Sequence, residues 1–418
     1  MKTIVNIVFI SPLALSLLGA GCNDDVAPPP PKPDLTVVSE DPGDQPLHGL
    51  SQENLARFRV GDGLFDIPFR PVDGLGPVYI RTSCSACHEG AGRGPGSVRK
   101  FQVVDTDGQP LADAPEMAFG NTVRPYAVGD GTMPVAEPGE VTAPHRLVTS
   151  VRVGPSVLGR GYIEAITDAE IERVAAEQAA RADEIHGRIN RVTYHSEASA
   201  LALFGHALGD SNLIGRFGHK ARVPTLDDFA ADAFQGDMGL TSPLRPHEVK
   251  NPQGLLDDAK IGVDVTEENV AEVAQYARTL EIPRRDPAMV NGPGRALFER
   301  ALCSACHVPS LRTRADHPIA QLADIDAPVF SDLLLHDMGN DLADELSDES
   351  AGPREWRTAP LIGVRFQRSF LHDGRAKTVA DAIRMHAGTG SQANASVARF
   401  EELSVDEQKS LLALIEGL

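Results

Sequence analysis

The chain has 418 residues, 42 % of them hydrophobic and 5 % aromatic, with a single Trp and a formal net charge of −20 at pH 7. That length exceeds what one compact core organises and predicts two domains. The acidity argues against nucleic acid, whose phosphates would be repelled, and suits neutral or basic soluble partners while also serving plain solubility.

Met1-Lys2 opens a short positive region, Ile4 to Leu18 is apolar, and Gly19-Ala20-Gly21 places small residues before Cys22. Residues 1–21 read as a secretory signal peptide, too short and wrongly flanked for a membrane span. A Cys directly after small residues resembles a bacterial lipoprotein cleavage site, although Leu18 sits one place earlier than the usual pattern. The expectation is a lipid anchor at Cys22, with ordinary cleavage nearby as the alternative. Residues 22–50, which begin CNDDVAPPPPK, form a Pro-rich tether that would hold a soluble body off the membrane. The location implied is the periplasm or the outer cell surface, with membrane contact only through the anchor.

A first unit is predicted over residues 51–286. Gly61 to Phe65 (GDGLF) precedes the pentapeptide CSACH at Cys84 to His88. Residues 98–153 are rich in Gly, Pro, Val and Thr, with alternating runs such as VRKFQVVD before the turn residues Asp107-Gly108, and read as a β-rich insertion. Ile163 to His186 reads as helix. The unit closes with a helix in TEENVAEVAQYARTLEI, with Thr266 as N-cap, Asn269 in place of the usual capping-box Glu, and Pro283 as its stop. IPRRDPAMVNGPG marks the boundary. The second unit, residues 287–418, repeats the layout more tightly. Gly294 to Phe298 (GRALF) suggests an amphipathic helix, and CSACH recurs at Cys303 to His307. The final helix has Ser404 as N-cap, Glu407 completing a capping box, and an apolar stripe of Leu411, Leu412, Ile415 and Leu418.

Of the five cysteines, Cys22 belongs to the signal region and the other four make the two pentapeptides. C-x-x-C-H is the attachment motif of c-type haem. Cysteines at this spacing fall on one side of a helical turn. Their sulfurs can form thioethers with the two vinyl groups of one porphyrin, and the adjacent His offers a ring nitrogen to the iron. Zinc would want two further ligands near each motif, and a redox dithiol does not call for the adjacent His. Two covalently bound c-type haems are therefore expected, haem 1 on Cys84, Cys87 and His88 and haem 2 on Cys303, Cys306 and His307. An opening helix, a haem motif and a closing helix make the cytochrome c pattern. The expected fold class is thus mainly α: two fused cytochrome c-like domains, the first with a β-rich insertion.

Further stretches carry a resemblance: GRFGHKARVPTL (Gly215 to Leu226), DMGLTSPL (Asp237 to Leu244), DLLLHDMG (Asp332 to Gly339), REWRTAPLIG (Arg354 to Gly363) and FLHDGRAKTVADAI (Phe370 to Ile383). With the haem motifs, in order from about Phe58 to Leu418, they make the chain similar to the bacterial di-haem oxidoreductases, a family also labelled thiol oxidoreductases. The layout is similar to di-haem cytochrome c peroxidases, in which one haem reduces peroxide and the other relays electrons. One departure is His219, where family members commonly have Trp, so Trp356 is the only indole. The thiol label finds no support, since no cysteine remains for thiol–disulfide exchange; a thiol could still be a substrate.

Axial ligands decide what each haem does. In the similar peroxidases a Met ligates the relay haem at the place His386 occupies here. His386 is accordingly the first choice for haem 2, Met338 of HDMG the second and Met385 the third. Haem 1 has no obvious partner for His88. Met117, Met133, His206, His219 and Met238 all remain open, and a displaceable sixth position is what peroxide binding needs. Cleavage of the O–O bond needs an acid–base residue, for which Glu116 and Asp237 are the candidates. Trp356 would assist electron transfer between haems or simply fill the core. Arg354 and Arg357 would pair with haem propionates or sit in surface ion pairs, and His372 and Asp373 would hold structure near haem 2.

The resulting expectation is a di-haem oxidoreductase that reduces peroxide or another small substrate at haem 1, with electrons relayed through haem 2 from a small soluble donor of cytochrome c or cupredoxin type. The alternatives are an electron-transfer cytochrome without substrate chemistry and an oxygenase or oxidase acting on an organic molecule.

Overall fold

The computed structural model describes residues 44–418 except 93, 95, 112–120, 129–140, 142 and 250–259. The signal region, Cys22, Glu116, Met117 and Met133 lie outside the described residues. Ten α-helices occur among those residues: α1 (Gln52–Asp66), α2 (Arg160–Ala165), α3 (Asp168–Ala179), α4 (Leu226–Met238), α5 (Glu267–Thr279), α6 (Pro287–Val290), α7 (Pro293–Arg300), α8 (Val379–Arg384), α9 (Asn394–Glu401) and α10 (Val405–Gly417). The strands are β1 (Val78–Tyr79), β2 (Ser97–Val104), β3 (Tyr126–Ala127), β4 (Arg146–Val153), β5 (Arg191–Val192), β6 (Leu213–Ile214), β7 (Leu311–Arg312), β8 (Asp326–Ala327), β9 (Leu335–Asp337) and β10 (Glu355–Arg357). They form antiparallel pairs only: β1 with β3, β2 with β4, β5 with β6, β7 with β8, and β9 with β10.

The expectation of a mainly α chain is corrected. The described residues are 34 % helix and 14 % strand, a mixed composition. Short antiparallel pairs, each closing a loop, take the place of longer helices between the haem motifs and the closing helices. The predicted helix from Ile163 to His186 is also corrected. Ile166 is extended and Thr167 starts a new helix by accepting a hydrogen bond from the Glu170 amide, so α2 and α3 are separate. Past Ala180 the chain is no longer helical. The capping boxes at Thr266/Asn269 and Ser404/Glu407 both form, each with reciprocal side-chain bonds.

Two helix pairs repeat one packing device. A Cβ at Gly61 of α1 would lie 2.1 Å from the Glu272 carbonyl oxygen of α5, and a Cβ at Gly294 of α7 would lie 2.4 Å from the Ser410 carbonyl oxygen of α10. Glycine lets both pairs cross with backbones in contact. Four residues on, Phe65 and Phe298 are buried beneath the crossings. The smaller core joins α7 and α10 with Phe330, Val364, Val379, Phe400 and Leu403. The larger core holds the α1, α2, α4 and α5 faces and also takes Leu311, Ile319, Leu322, Ile325, Val329 and Leu333. Residues 311–333 thus pack largely with helices of the N-terminal half.

The β2–β4 ribbon is the longest pairing, in register from Ser97 opposite Val153 to Val104 opposite Arg146. Its last strand delivers Val153 and Gly154 to the site described below. Arg152, on the buried face of that strand, donates to Asp344 and Asp348. Among the described residues no helix is long and apolar enough to cross a membrane.

Candidate functional site

Both pentapeptides fold as tight turns in which the His amide returns to the first Cys carbonyl: His88 to Cys84 at 2.9 Å and His307 to Cys303 at 2.9 Å. The four cysteines are unpaired. Burial pushes the Cys84 and Cys303 thiols up to about 12, far from the thiolate that zinc binding or disulfide exchange uses.

The second motif opens onto a cavity of about 260 Å³. Cys303, Cys306 and His307 line it, together with His386, Met338, Trp356, Arg357, His372 and Arg160. His307 Nδ1 is 3.1 Å from the Phe330 carbonyl oxygen, and His386 Nδ1 is 2.6 Å from the Ala382 carbonyl oxygen one helical turn back. A carbonyl only accepts, so each ring carries its proton on Nδ1 and keeps the Nε2 lone pair. Neither Nε2 has a hydrogen-bond partner among the described residues. Burial, then the neighbouring His386, push His307 down to about 4, and burial pushes His386 down too, so both imidazoles are neutral as metal ligands must be. Two neutral imidazoles and two thiols around one cavity fit a haem: Cys303 and Cys306 would hold it through thioethers, and His307 and His386 would each offer an imidazole nitrogen to its iron. Met338 shares the cavity, whereas Met385 is exposed.

The motif is buttressed from behind. Gln178 Nε2 donates to the Ala305 carbonyl (3.0 Å) and to Asp332 Oδ2 (2.7 Å), and the Asp332 amide donates to the Cys306 carbonyl (2.9 Å). His336 bridges Asp332 Oδ2 through Nε2 and Gln392 Oε1 through Nδ1, both at 2.8 Å, with Nδ1 3.7 Å from Cys306 Sγ. Burial opposes a charge on His336, but Cys306 and Asp332 overcome it and raise its pKa well above an ordinary imidazole's. The Asp332 share of that rise survives a thioether at Cys306; the Cys306 share does not. Cys306, Asp332 and His336 are close enough to hold a metal ion, but a thioether would remove the thiolate such a site needs. Asp332 and His336 stand four apart in DLLLHDMG, but nothing in the local spacing brings Gln178 and Gln392 to them, so the network as a whole escapes sequence reasoning.

At the first motif Nδ1 of His88 is buried and has no partner at hydrogen-bond geometry among the described residues. Burial pushes this ring down to about 4, against a counter-pull from the Gly92 and Pro155 main chain. A Cβ at Gly154 would lie 3.1 Å from His88 Cε1, and one at Gly96 would lie 2.6 Å from Cys87 Sγ. Glycine-lined walls beside Cys87 and the His88 ring leave room for a haem that Cys84, Cys87 and His88 would hold. Asp237, at the end of α4, is close enough to both cysteines to raise their pKa values. Its own carboxyl is pushed up to about 6 by burial and then by Asp232. The other histidines and Met238 have different contacts: His206 Nδ1 is 3.8 Å from Asp210, His219 Nε2 is 2.7 Å from the Val153 carbonyl oxygen, and Met238 is buried in the larger core.

Trp356 stacks on His372 with ring centroids 3.9 Å apart, donates Nε1–H to the Leu342 carbonyl (2.9 Å), and has Lys220 Nζ 4.2 Å and the Arg152 guanidinium 5.4 Å from its ring centre. Cations over an indole stabilise the neutral ring and oppose a positive hole on it, so these surroundings suit packing better than oxidation. The two arginines expected at propionates are placed differently. Arg357 is buried and lines the cavity. Arg354 is half-buried, bonded to Asp337 through Nε (3.0 Å), and is not a wall of the cavity.

Among solved structures the chain is similar to hydrazine synthase of Kuenenia stuttgartiensis, at 16 % identity over 98 % of this chain and 100 % of that one (TM-score 0.38). It is similar to a MauG-like protein associated with microbial copper homeostasis at 15 % identity, over 95 % of each chain (TM-score 0.39). To the diheme peroxidase BthA from Burkholderia thailandensis the identity is 14 %, over 92 % of each chain (TM-score 0.35). No curated protein sequence matches. The family described as "Di-haem oxidoreductase, putative peroxidase" matches residues 144–418, a span that holds the second motif and leaves Cys84 to His88 outside it. By that match, over more than half its length and across the His307/His386 cavity, the chain belongs to the di-haem oxidoreductase family.

Proposed function

We propose that this di-haem oxidoreductase is an exported c-type enzyme that reduces hydrogen peroxide or a similar small oxidant at haem 1, with electrons from a small soluble donor relayed through haem 2. The observation that carries the reading is unequal axial supply. His307 and His386 offer two neutral Nε2 atoms to one cavity, while His88 has no second imidazole committed to it among the described residues. Bis-His ligation would close haem 2 to substrate and leave it a relay; an open position at haem 1 would admit peroxide. Bound haem supplies the one-electron chemistry at both sites.

Reduction of hydrogen peroxide consumes two electrons and two protons and yields two waters. Asp237 is the acid–base group the reading assigns, its pKa of about 6 letting the carboxylate take a proton from one peroxide oxygen and return it to the other near neutral pH. Glu116 is the alternative acid. Export, and a lipid anchor at Cys22 that keeps the enzyme in the periplasm or on the outer cell surface, follow from the N-terminal sequence and agree with covalent haem.

Electron paramagnetic resonance of the oxidised and half-reduced protein tests this. The expected result is a bis-His low-spin signal from haem 2 that H386A converts to high spin, with cyanide or peroxide shifting one Soret component only. Two six-coordinate, unreactive haems in both redox states would refute the enzyme reading and leave an electron carrier. A stable oxygen adduct of the ferrous protein would replace it with an oxygenase or oxidase.

A further inference from the structure

A buried guanidinium normally has a carboxylate partner, because an uncompensated charge in the interior is costly. The chain follows that rule at Arg152, Arg216 and Arg278. It departs from it twice in one place. Arg160 and Arg357 are 9 % and 6 % exposed, both line the haem 2 cavity, and among the described residues neither has a carboxylate within ion-pair distance. Their bonds go to carbonyl oxygens: Arg160 Nε to Ser156 (2.5 Å), Arg357 Nε to Gly218 (3.0 Å) and Arg357 Nη1 to Thr358 (3.1 Å). The acid that Arg357 does feel, Asp332, is committed to His336 and Gln178. Burial, followed by repulsion from Arg357, pushes Arg160 down to about 9, and burial pushes Arg357 down to about 10. Arg285 is equally buried and, among the described residues, also bonds only carbonyl oxygens, but it lies over the Phe330 ring and does not line the cavity.

Local sequence fixes Arg160 in place. It sits between Gly159, where a Cβ would meet Ile362 at 2.8 Å, and Gly161, where one would meet the Arg278 carbonyl oxygen at 1.8 Å. Glycines on both sides let α2 approach α5 with its arginine turned into the cavity. The segment leading to it starts at Gly154, against the His88 ring, and continues through Pro155 and Ser156, which line the haem 2 cavity.

We infer that Arg160 and Arg357 hold the propionate carboxylates of haem 2, and that Arg160, on the segment joining the His88 ring to this cavity, is the charged group both haems share. Propionates are the anions the haem itself brings, and two unpaired guanidiniums match them in number and chemistry. The inference rests on haem 2 occupying the cavity.

The test uses full-length, matured protein carrying R357Q or R160Q, with R312Q, an exposed and paired arginine, as the charge-loss control. Haem content by pyridine haemochrome is read first; a wild-type sample without covalent haem refutes the functional reading, whatever becomes of this one. With two haems present, potentiometric titration of each is the readout. Removing a cation favours the ferric state, so R357Q should raise the ferric:ferrous ratio of haem 2 at fixed potential about tenfold, a downward shift of ~59 mV. R160Q should lower both haem potentials, R160K and R357K should largely restore them, and R312Q should leave them in place. Fully loaded R160Q and R357Q proteins with unmoved potentials would overturn the inference. Should the glutamine variants fail to fold, resonance Raman of the unsubstituted protein still decides: propionate bending bands of haem 2 typical of free carboxylates would overturn it equally.

Discussion

Burial, reinforced by Asp232, raises the Asp237 carboxyl to about 6, while Lys100, Arg124 and Arg222 pull it back. Below that pH the group is protonated and cannot take a proton from peroxide; above it the carboxylate can. Turnover limited by this step should therefore climb about tenfold per pH unit up to about 6 and then level off. D237N should lose about 10²–10⁴ in kcat/KM for peroxide and show no such rise, provided its absorption spectrum shows both haems. An unchanged rate and profile would free Asp237 from catalysis and move attention to Glu116. At this scale the sequence is most readable where chemistry is contiguous. Five adjacent residues place two sulfurs and an imidazole, so Cys303, Cys306 and His307 can be named without coordinates. Arg354 and Arg357 look equivalent in REWRT, yet on an extended chain an odd offset sends side chains to opposite faces; one meets Asp337 and the other the cavity. Arg160 shows no motif at all, only flanking glycines whose meaning needs the α5 backbone beside them.

Gly61 and Gly63 stand two residues apart in α1, and their surroundings are opposite. A Cβ at Gly61 would overlap the Glu272 carbonyl of α5, whereas nothing lies within 4 Å of one at Gly63. G61A should force α1 and α5 apart and cost about 1–3 kcal/mol, with G294A doing the same to α7 and α10. G63A should instead stabilise by up to ~1 kcal/mol, since alanine restricts the unfolded chain and suits a helix interior. Urea midpoints check the contrast; a G61A protein as stable as G63A would mean the helices do not cross where described. The element scale was readable wherever a local rule sets a boundary. Thr266, Ser404 and Gly294 begin or seat their helices by bonds or contacts within a few residues or one face. It misled between Ile163 and His186, where helix-forming composition runs on through Thr167, whose side chain caps a new start. It was also silent on the short strand pairs, whose partners, such as Trp356 opposite His336, are brought together by the tertiary fold and not by a hairpin turn.

The chain carries 59 acidic residues against 39 Lys and Arg, and the structure divides its charges into two populations with different salt responses. Arg152 with Asp344 and Asp348, and Lys220 with Asp344, are buried and tie the β2–β4 ribbon to the loop at residues 344–348, behind Trp356. Pairs such as Arg146–Glu345 and Arg300–Glu407 are exposed. Composition announces the net charge but cannot say which charges are buried, because that depends on which loops the ribbon meets. Ions screen exposed charges over a Debye length that falls from ~10 Å at 0.1 M to ~3 Å at 1 M, and reach buried pairs far less. Reduction of the oxidised protein by a small cationic cytochrome c, followed by stopped flow, should therefore slow by about tenfold or more between low and high ionic strength. The thermal midpoint, held up by buried pairs and two apolar cores, should change little over the same range. A reduction rate flat in salt would show that the donor docks without using the negative surface, and a neutral donor or an apolar patch would then have to replace the cationic one. A midpoint that collapsed along with the rate would instead show the buried pairs to be open to solvent, and the ribbon's hold on the Trp356 wall of the haem 2 cavity with them.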